Sequence, residues 1–444
     1  MFTLMVPLQA ELPHLLNASR EDTSWVITIT LLVAAVATPI SGRLGDMYGK
    51  RRIMLVLAAI LIIGSIVAAL STSITGVIIG RGMQGLTTGV VPLGIAIMRD
   101  VLRPERLSTA IALMSATMGV GSAIGLAISA FVANVSDWHT LFWFAAALGA
   151  VSFVATLLCV PESDLRVGGR LDWAGVAGLA LGLTGILLYV SRGAAWGWAS
   201  PLALGSLLVG MLTLLLWGWY QLHRRDPLVD LRVAARPSVL FANLAGFGMG
   251  FSFFASNVTF PQMLELPSST GSGFGLTMFE AALCIMPAGL VMMMLSPLSG
   301  WFERMFGARL LLTTGTTMIV IAYVSALLLS SEVWHIVVAN ILVGVGIAFS
   351  FAAMPMIIMR AVPVHETGVS NGLNALFRSV GTSSAAAVMG GVLAAMTNSD
   401  GIPTREAFLV CFWIALAAAV VATVFALLVP RHTAPRGETV LDPR

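Results

Sequence analysis

Apolar residues run for about twenty positions at a time along this chain, and each run ends in a short cluster of charged, glycine or proline residues. A helix that crosses a bilayer needs roughly 20 mostly apolar residues. Thirteen stretches fit that pattern: 24–41, 53–70, 74–98, 107–133, 140–160, 173–191, 200–222, 239–262, 276–300, 310–329, 333–359, 368–396 and 407–429. The clusters between them read as loops. Residues 1–16 (MFTLMVPLQAELPHLL) are apolar but short, with Pro7, Glu11 and Pro13 inside. They predict a first helix that has lost its inner half, with the expectation that Met1 is not the natural start or that the chain is truncated. No basic segment precedes the apolar run, as a cleaved leader would require.

Composition strengthens this picture. The 444 residues are 58% hydrophobic and 10% charged, whereas soluble domains are roughly 45–50% apolar and about 25% charged. Lipid can cover such an exterior, and water cannot. The three cysteines, Cys159, Cys284 and Cys411, lie far apart inside apolar runs. They form neither a disulfide framework nor a metal spacing, so no metal site is expected. The 24 basic and 21 acidic residues leave a formal charge of +3, with the arginines scattered through loops. That is no nucleic-acid footprint.

Loop charges also set an orientation. If loops alternate sides, nineteen Lys and Arg fall on one side and three (Arg20, Arg192, Arg405) on the other, while Arg81 and Arg378 lie within helices. The basic side is expected to be cytoplasmic. The chain then reads as a multi-pass protein of the inner (cytoplasmic) membrane with a cytoplasmic C-terminus.

The sequence repeats itself. Residues 39–51 (PISGRLGDMYGKR) align without gaps to residues 297–309 (PLSGWFERMFGAR), and both copies fall on the basic side. Two halves related by an axis along the membrane normal are a common plan of secondary transporters. The expected architecture is all-α and about 14 helices: an N-terminal helical half (1–165, first helix clipped), a two-helix insertion (166–236), a C-terminal helical half (237–430) and a cytoplasmic tail (431–444).

Three motifs carry candidate chemistry. Residues 42–52 (GRLGDMYGKRR) form a tight charged turn containing Gly42, Leu44, Asp46, Gly49, Lys50 and Arg51. The glycines allow a sharp turn, and Asp46 can meet the positive end of a neighbouring helix. Residues 81–89 (RGMQGLTTG) put Arg81 inside helix four, counting the clipped first one, with Gln84 and Thr88 on its face and Gly85 beside them. An intramembrane arginine faces the bundle interior or a watery path, or else snorkels to the interface. Residues 119–131 (GVGSAIGLAISAF) keep Gly121 and Gly125 four apart, which permits close helix contact.

These motifs resemble the major facilitator superfamily, and within it the fourteen-helix drug:proton antiporter family, over essentially the whole chain. The resemblance implies that residues 42–52 latch the closed cytoplasmic side. It also implies that Arg81, Gln84 and Gly85 belong to proton coupling. The glycine-rich motif departs from the family pattern: Leu126 stands where a proline is expected, and Ser129 and Ala130 where two glycines are. Helix packing alone would explain its remaining glycines.

Other polar residues sit at membrane depth. Glu280 is either a proton site or a carboxylate favouring a helix N-terminus. Asn371, Asn374 and Arg378 share a helical face, with Arg378 either a cavity charge or half of an interior pair. No nucleotide-binding loop, H-E-x-x-H or G-x-S-x-G motif occurs, so an enzyme is not expected. The expected function is export of small amphipathic organic compounds, or drugs, in exchange for protons. The protein would act as a monomer, with no cofactor and with the proton gradient as energy source. A metabolite or lipid-precursor exporter of the same fold, or a transport-inactive sensor or scaffold, remains open.

Overall fold

The computed structural model describes residues 12–16, 18–162, 171–224, 226–268, 271–399 and 401–430. Most of the proposed clipped helix (1–11), the 163–170 loop and the 431–444 tail lie outside the described residues. The N-terminal part comprises α1 (Leu12–Leu15), α2 (Arg20–Tyr48), α3 (Lys50–Leu70), α4 (Ile74–Leu86), α5 (Val90–Val101), α6 (Pro104–Val135) and α7 (His139–Cys159). A linking pair follows, α8 (Trp173–Trp196) and α9 (Pro201–His223), with a short α10 (Leu231–Ala234). The C-terminal part comprises α11 (Pro237–Glu265), α12 (Met278–Met294), α13 (Ser296–Phe306), α14 (Ala308–Leu328), α15 (Val333–Ala361), α16 (Thr367–Ala395) and α17 (Arg405–Leu428). Counting α4 with α5 and α12 with α13, these helices coincide with the thirteen apolar stretches.

Local chemistry sets the ends. Ser19, Ser73, Asp172, Ser200 and Thr404 cap helix N-termini through their side chains, satisfying N–H groups that the ladder leaves orphaned. Pro104, Pro201 and Pro237 stand in first turns, where a missing N–H costs nothing. Gly49 (φ 105) and Gly307 (φ 86) join α2 to α3 and α13 to α14 in the left-handed region, and they occupy equivalent places in the repeat.

Two apolar stretches are not continuous rods. The third passes through a 3-10 turn at Thr87–Gly89. The Thr87 and Thr88 hydroxyls donate to the Gln84 and Gly85 carbonyls (2.7 and 2.9 Å) and so compete with the backbone ladder. The ninth bends by 49° between α12 and α13, where Pro297 cannot donate to the preceding turn.

Nine described helices are individually long and apolar enough to cross a membrane, and the bent pair makes up to ten. The fold is all-helical and multi-pass. α9 turns a row of leucines (Leu202, Leu208, Leu215, Leu216) and Trp219 outward, an arrangement that lipid accommodates and water does not. α2 packs on α16 through Leu32, Ala35, Val369, Leu373 and Leu376, and α8 adds Leu179, Leu183 and Leu187 to the same cluster. The linking helices therefore lean on the seam between the two parts.

Candidate functional site

The seam is charged at the end that carries the basic loops. Lys50 is 1% exposed, and its Nζ lies 2.5 Å from Asp100 Oδ2 and 3.8 Å from Asp46 Oδ1. Asp46 in turn accepts a hydrogen bond (3.2 Å) from the backbone N–H of Val369, in the first turn of α16. A carboxylate from one half thus meets the positive end of a helix from the other. Arg99 donates to the Thr367 hydroxyl and to the Val362 carbonyl (3.3 Å). Close approach makes this possible: a Cβ on Gly42 would strike the Gly368 carbonyl, and one on Gly372 would lie 2.9 Å from Pro39 Cα.

The second copy of the repeat performs the matching contact. A Cβ on Gly300 would lie 2.9 Å from Thr109 Cα. Ser108 donates to the Gly300 carbonyl (3.2 Å), and Arg304 to the Thr109 hydroxyl (2.8 Å). Further in, Ser115 of α6 donates to the Phe351 carbonyl of α15 (3.1 Å). The halves are therefore joined from the basic end toward mid-depth.

The residues of the turn have different jobs. Gly49 makes the positive-φ corner. Leu44 lines an apolar groove of about 320 Å³ between α2, α3 and α8. Arg51 stays within its own half, donating to the Leu157 carbonyl at the end of α7 (2.5 Å), as Arg309 does to Leu427 at the end of α17.

Arg81 is 1% exposed. It donates to Gln84 Oε1 (2.8 Å) and to the Val26 carbonyl (3.3 Å), while Gln84 donates to the Ser65 hydroxyl (2.9 Å). The interior reading applies here, not the snorkelling one. A Cβ on Gly85 would lie 2.7 Å from the Thr30 carbonyl, so α2 and α4 touch at that glycine. Glu280 is exposed and forms a capping box with Thr277: the Thr277 N–H donates to its carboxylate at 2.8 Å, and its own N–H donates to the Thr277 hydroxyl. Gly121 is exposed with nothing within 4 Å of an added Cβ, and Gly125 is half-buried. No close helix contact requires Gly121.

In the C-terminal half, Asn374 donates to Asn243 Oδ1 (3.1 Å) and Asn371 to the Thr367 carbonyl (2.9 Å). The Arg378 guanidinium lies 4.5 Å from the centre of the Phe351 ring.

Several members of this site escaped the sequence reading. Asp100, the partner of Lys50, and Arg99 lie at the end of α5, where they look like ordinary loop charges. Glu303, 2% exposed, pairs with Arg360. It stands where the first copy of the repeat has Gly45, which hid it from the self-comparison.

Comparisons with known proteins agree with this geometry. The chain is 26% identical over 399 residues to multidrug resistance protein Stp of Mycobacterium tuberculosis, covering 87% of this chain and 72% of that one. It is 23% identical over 405 residues to lincomycin resistance protein LmrB of Listeria monocytogenes, covering 89% and 85%. The crystal structure of the human organic anion transporter MFSD10 superposes with a TM-score of 0.65 at 15% identity, over 96% of this chain and 95% of that one, which is a likeness of fold. The family profile described as Major Facilitator Superfamily matches residues 1–386 and 242–442. With its paired halves, repeated glycine turns and interlocked seam, the chain belongs to the Major Facilitator Superfamily.

Proposed function

We propose that the protein exports small amphipathic organic compounds, drugs among them, from the cytoplasm in exchange for protons. The observation that carries the reading is the buried contact of Asp46 with the N-terminus of α16, backed by Lys50. In this reading the basic end is cytoplasmic and the structure has that side closed. An ionised Asp46 attracts both the α16 N-terminus and Lys50, and a protonated one loses most of both attractions. Proton binding therefore favours the state in which the cytoplasmic end opens, and the difference in interaction between the two states is the coupling. Arg81 and Gln84 tie α4 to α2 and α3 above this point, so a change there passes through the same helices. Resistance-protein relatives support the substrate class.

The test is a proton-release assay in inverted membrane vesicles. A pH gradient is imposed, then lipophilic cations, anions and neutral amphiphiles are added one at a time. At least one compound is expected to discharge the gradient with the unaltered chain, and none with Asp46→Asn or Arg81→Ala at equal membrane levels. Discharge undiminished in Asp46→Asn removes Asp46 from coupling. No discharge by any compound, with correctly inserted protein, removes proton exchange.

A further inference from the structure

α16 carries a polar stripe at membrane depth. Asn371, Asn374, Arg378 and Thr382 fall on one helical face. Arg378 lies eleven residues from Thr367, about 17 Å along the axis, and so near the middle of a hydrocarbon layer roughly 30 Å thick. Its side chain is half-buried. Its guanidinium rests over Phe351, 4.5 Å from the ring centre. Gly246 and Gly250 of α11 flank it, with a Cβ on Gly246 3.4 Å from Arg378 Cγ. Phe351 is itself tied by its carbonyl to Ser115 of the other half. The arginine is thus bordered by α11 and α15 and keeps part of its surface open.

What Arg378 lacks is an anion. Among the described residues it makes no hydrogen bond or ion pair; the described ion pairs belong to Lys50, His139 and Arg360. The described carboxylates within the long helices (Asp22, Asp46, Asp100, Glu105, Glu265, Glu280, Glu303, Glu406) all lie within about two turns of a helix end. None is at the depth of Arg378. A cation held in a low-dielectric interior with only an aromatic face beside it is poorly compensated. Intramembrane charges of this kind mark ligand pathways. The guanidinium fork also matches the two oxygens of a carboxylate. Phe253, edge-on to Phe351 at 6.3 Å between ring centres, offers an apolar wall next to it.

We propose that Arg378 is the charge-recognition residue of the substrate pocket, and that the compounds carried are amphipathic organic anions. Their oxyanion sits against the guanidinium and their apolar body against Phe351 and Phe253. Asn374, held by Asn243, fixes the polar side of the site. This rests on the export reading above and narrows its substrate class.

The test uses the purified full chain in nanodiscs with 8-phenyloctanoate as probe, and its amide and amine as neutral and cationic analogues. The carboxylate is expected to bind and the amine not to compete. Arg378→Gln should weaken carboxylate binding about tenfold or more, the loss expected for a charge-assisted hydrogen-bonded contact. Arg378→Gln should weaken amide binding far less than carboxylate binding and should not lower the melting temperature, and Arg378→Lys should retain part of the preference. Carboxylate binding unaltered in a folded Arg378→Gln protein, equal binding of the amine, or occupancy by chloride with no response to the carboxylate overturns the proposal. A counterflow assay in proteoliposomes separates the two readings. Binding of the acid without exchange of any analogue leaves the anion site standing and removes export. Exchange of the amide without binding of the acid does the reverse.

Discussion

Lys50 sits fully buried between two carboxylates, one four residues before it and one fifty residues after it. Each charge there is tolerable because the others are present. Replacing Lys50 with methionine leaves Asp46 and Asp100 facing each other without a cation, and breaking a buried pair in this way costs about 3–5 kcal/mol. The expected outcome is a clearly lower unfolding midpoint for Lys50→Met in detergent, largely recovered in Lys50→Met/Asp100→Leu. The check is a double-mutant cycle on thermal unfolding. A Lys50→Met protein as stable as its parent would mean that the triad carries no such energy. The same seam gives Asp46 a role that composition does not disclose. An anchoring loop needs only basic residues, whereas Asp46 binds the end of a helix from the other half.

At the scale of elements, the crossing of α2 and α16 rests on small residues. Gly42 meets Gly368, and Gly372 meets Pro39 and Thr38, with no room for a methyl group at either place. Gly42→Ala therefore pushes the two helices apart where the basic end closes. Ser115, 6% exposed and bonded across the seam, is a reporter of that separation. With Ser115→Cys in a background lacking Cys159, Cys284 and Cys411, an impermeant maleimide applied from the basic side is expected to react about fivefold faster or more when Gly42→Ala is added, the scale of a coupling of about 1 kcal/mol. Equal rates would mean that the helices absorb the methyl without opening. α16 makes a second point at this scale. It is 29 residues long, yet its polar stripe keeps it out of the nine helices that length and apolarity identify. Its polarity faces the seam, not lipid.

For the whole molecule, the seam carries two clasps. Arg99 reaches Thr367 on one side of the pseudo-axis and Arg304 reaches Thr109 on the other. If the halves rock against each other, fixing one clasp should stop the cycle. Thr109→Cys with Arg304→Cys, in the same cysteine-free background and joined by a short reducible bis-thiosulfonate linker, is expected to abolish substrate movement in vesicles and to regain it on reduction. Transport that survives full crosslinking would place the moving element elsewhere.

The positions of the thirteen helices, the membrane setting and the repeat were legible in the amino-acid order, because apolar length, loop charge and self-similarity are properties of contiguous residues. The exceptional status of Arg81 and Arg378 was legible too, since a charge inside an apolar run is costly wherever the run goes, and Asp46 stood out as the acid in an otherwise basic turn. Their partners were not. Val369 lies 323 residues from Asp46, and Asp100 lies fifty from Lys50. Only the way the helices cross decides that Asp46 meets the N-terminus of α16 and that Arg51 turns back to the end of α7, whereas the capping box of Thr277 and Glu280 is local and readable from their spacing. The crossings also leave Arg378 facing an aromatic ring, with no carboxylate of its own among the described residues. Such pairings depend on the angle and depth at which two rods meet, and those follow from where glycine lets backbones touch, a long-range quantity that no local pattern contains.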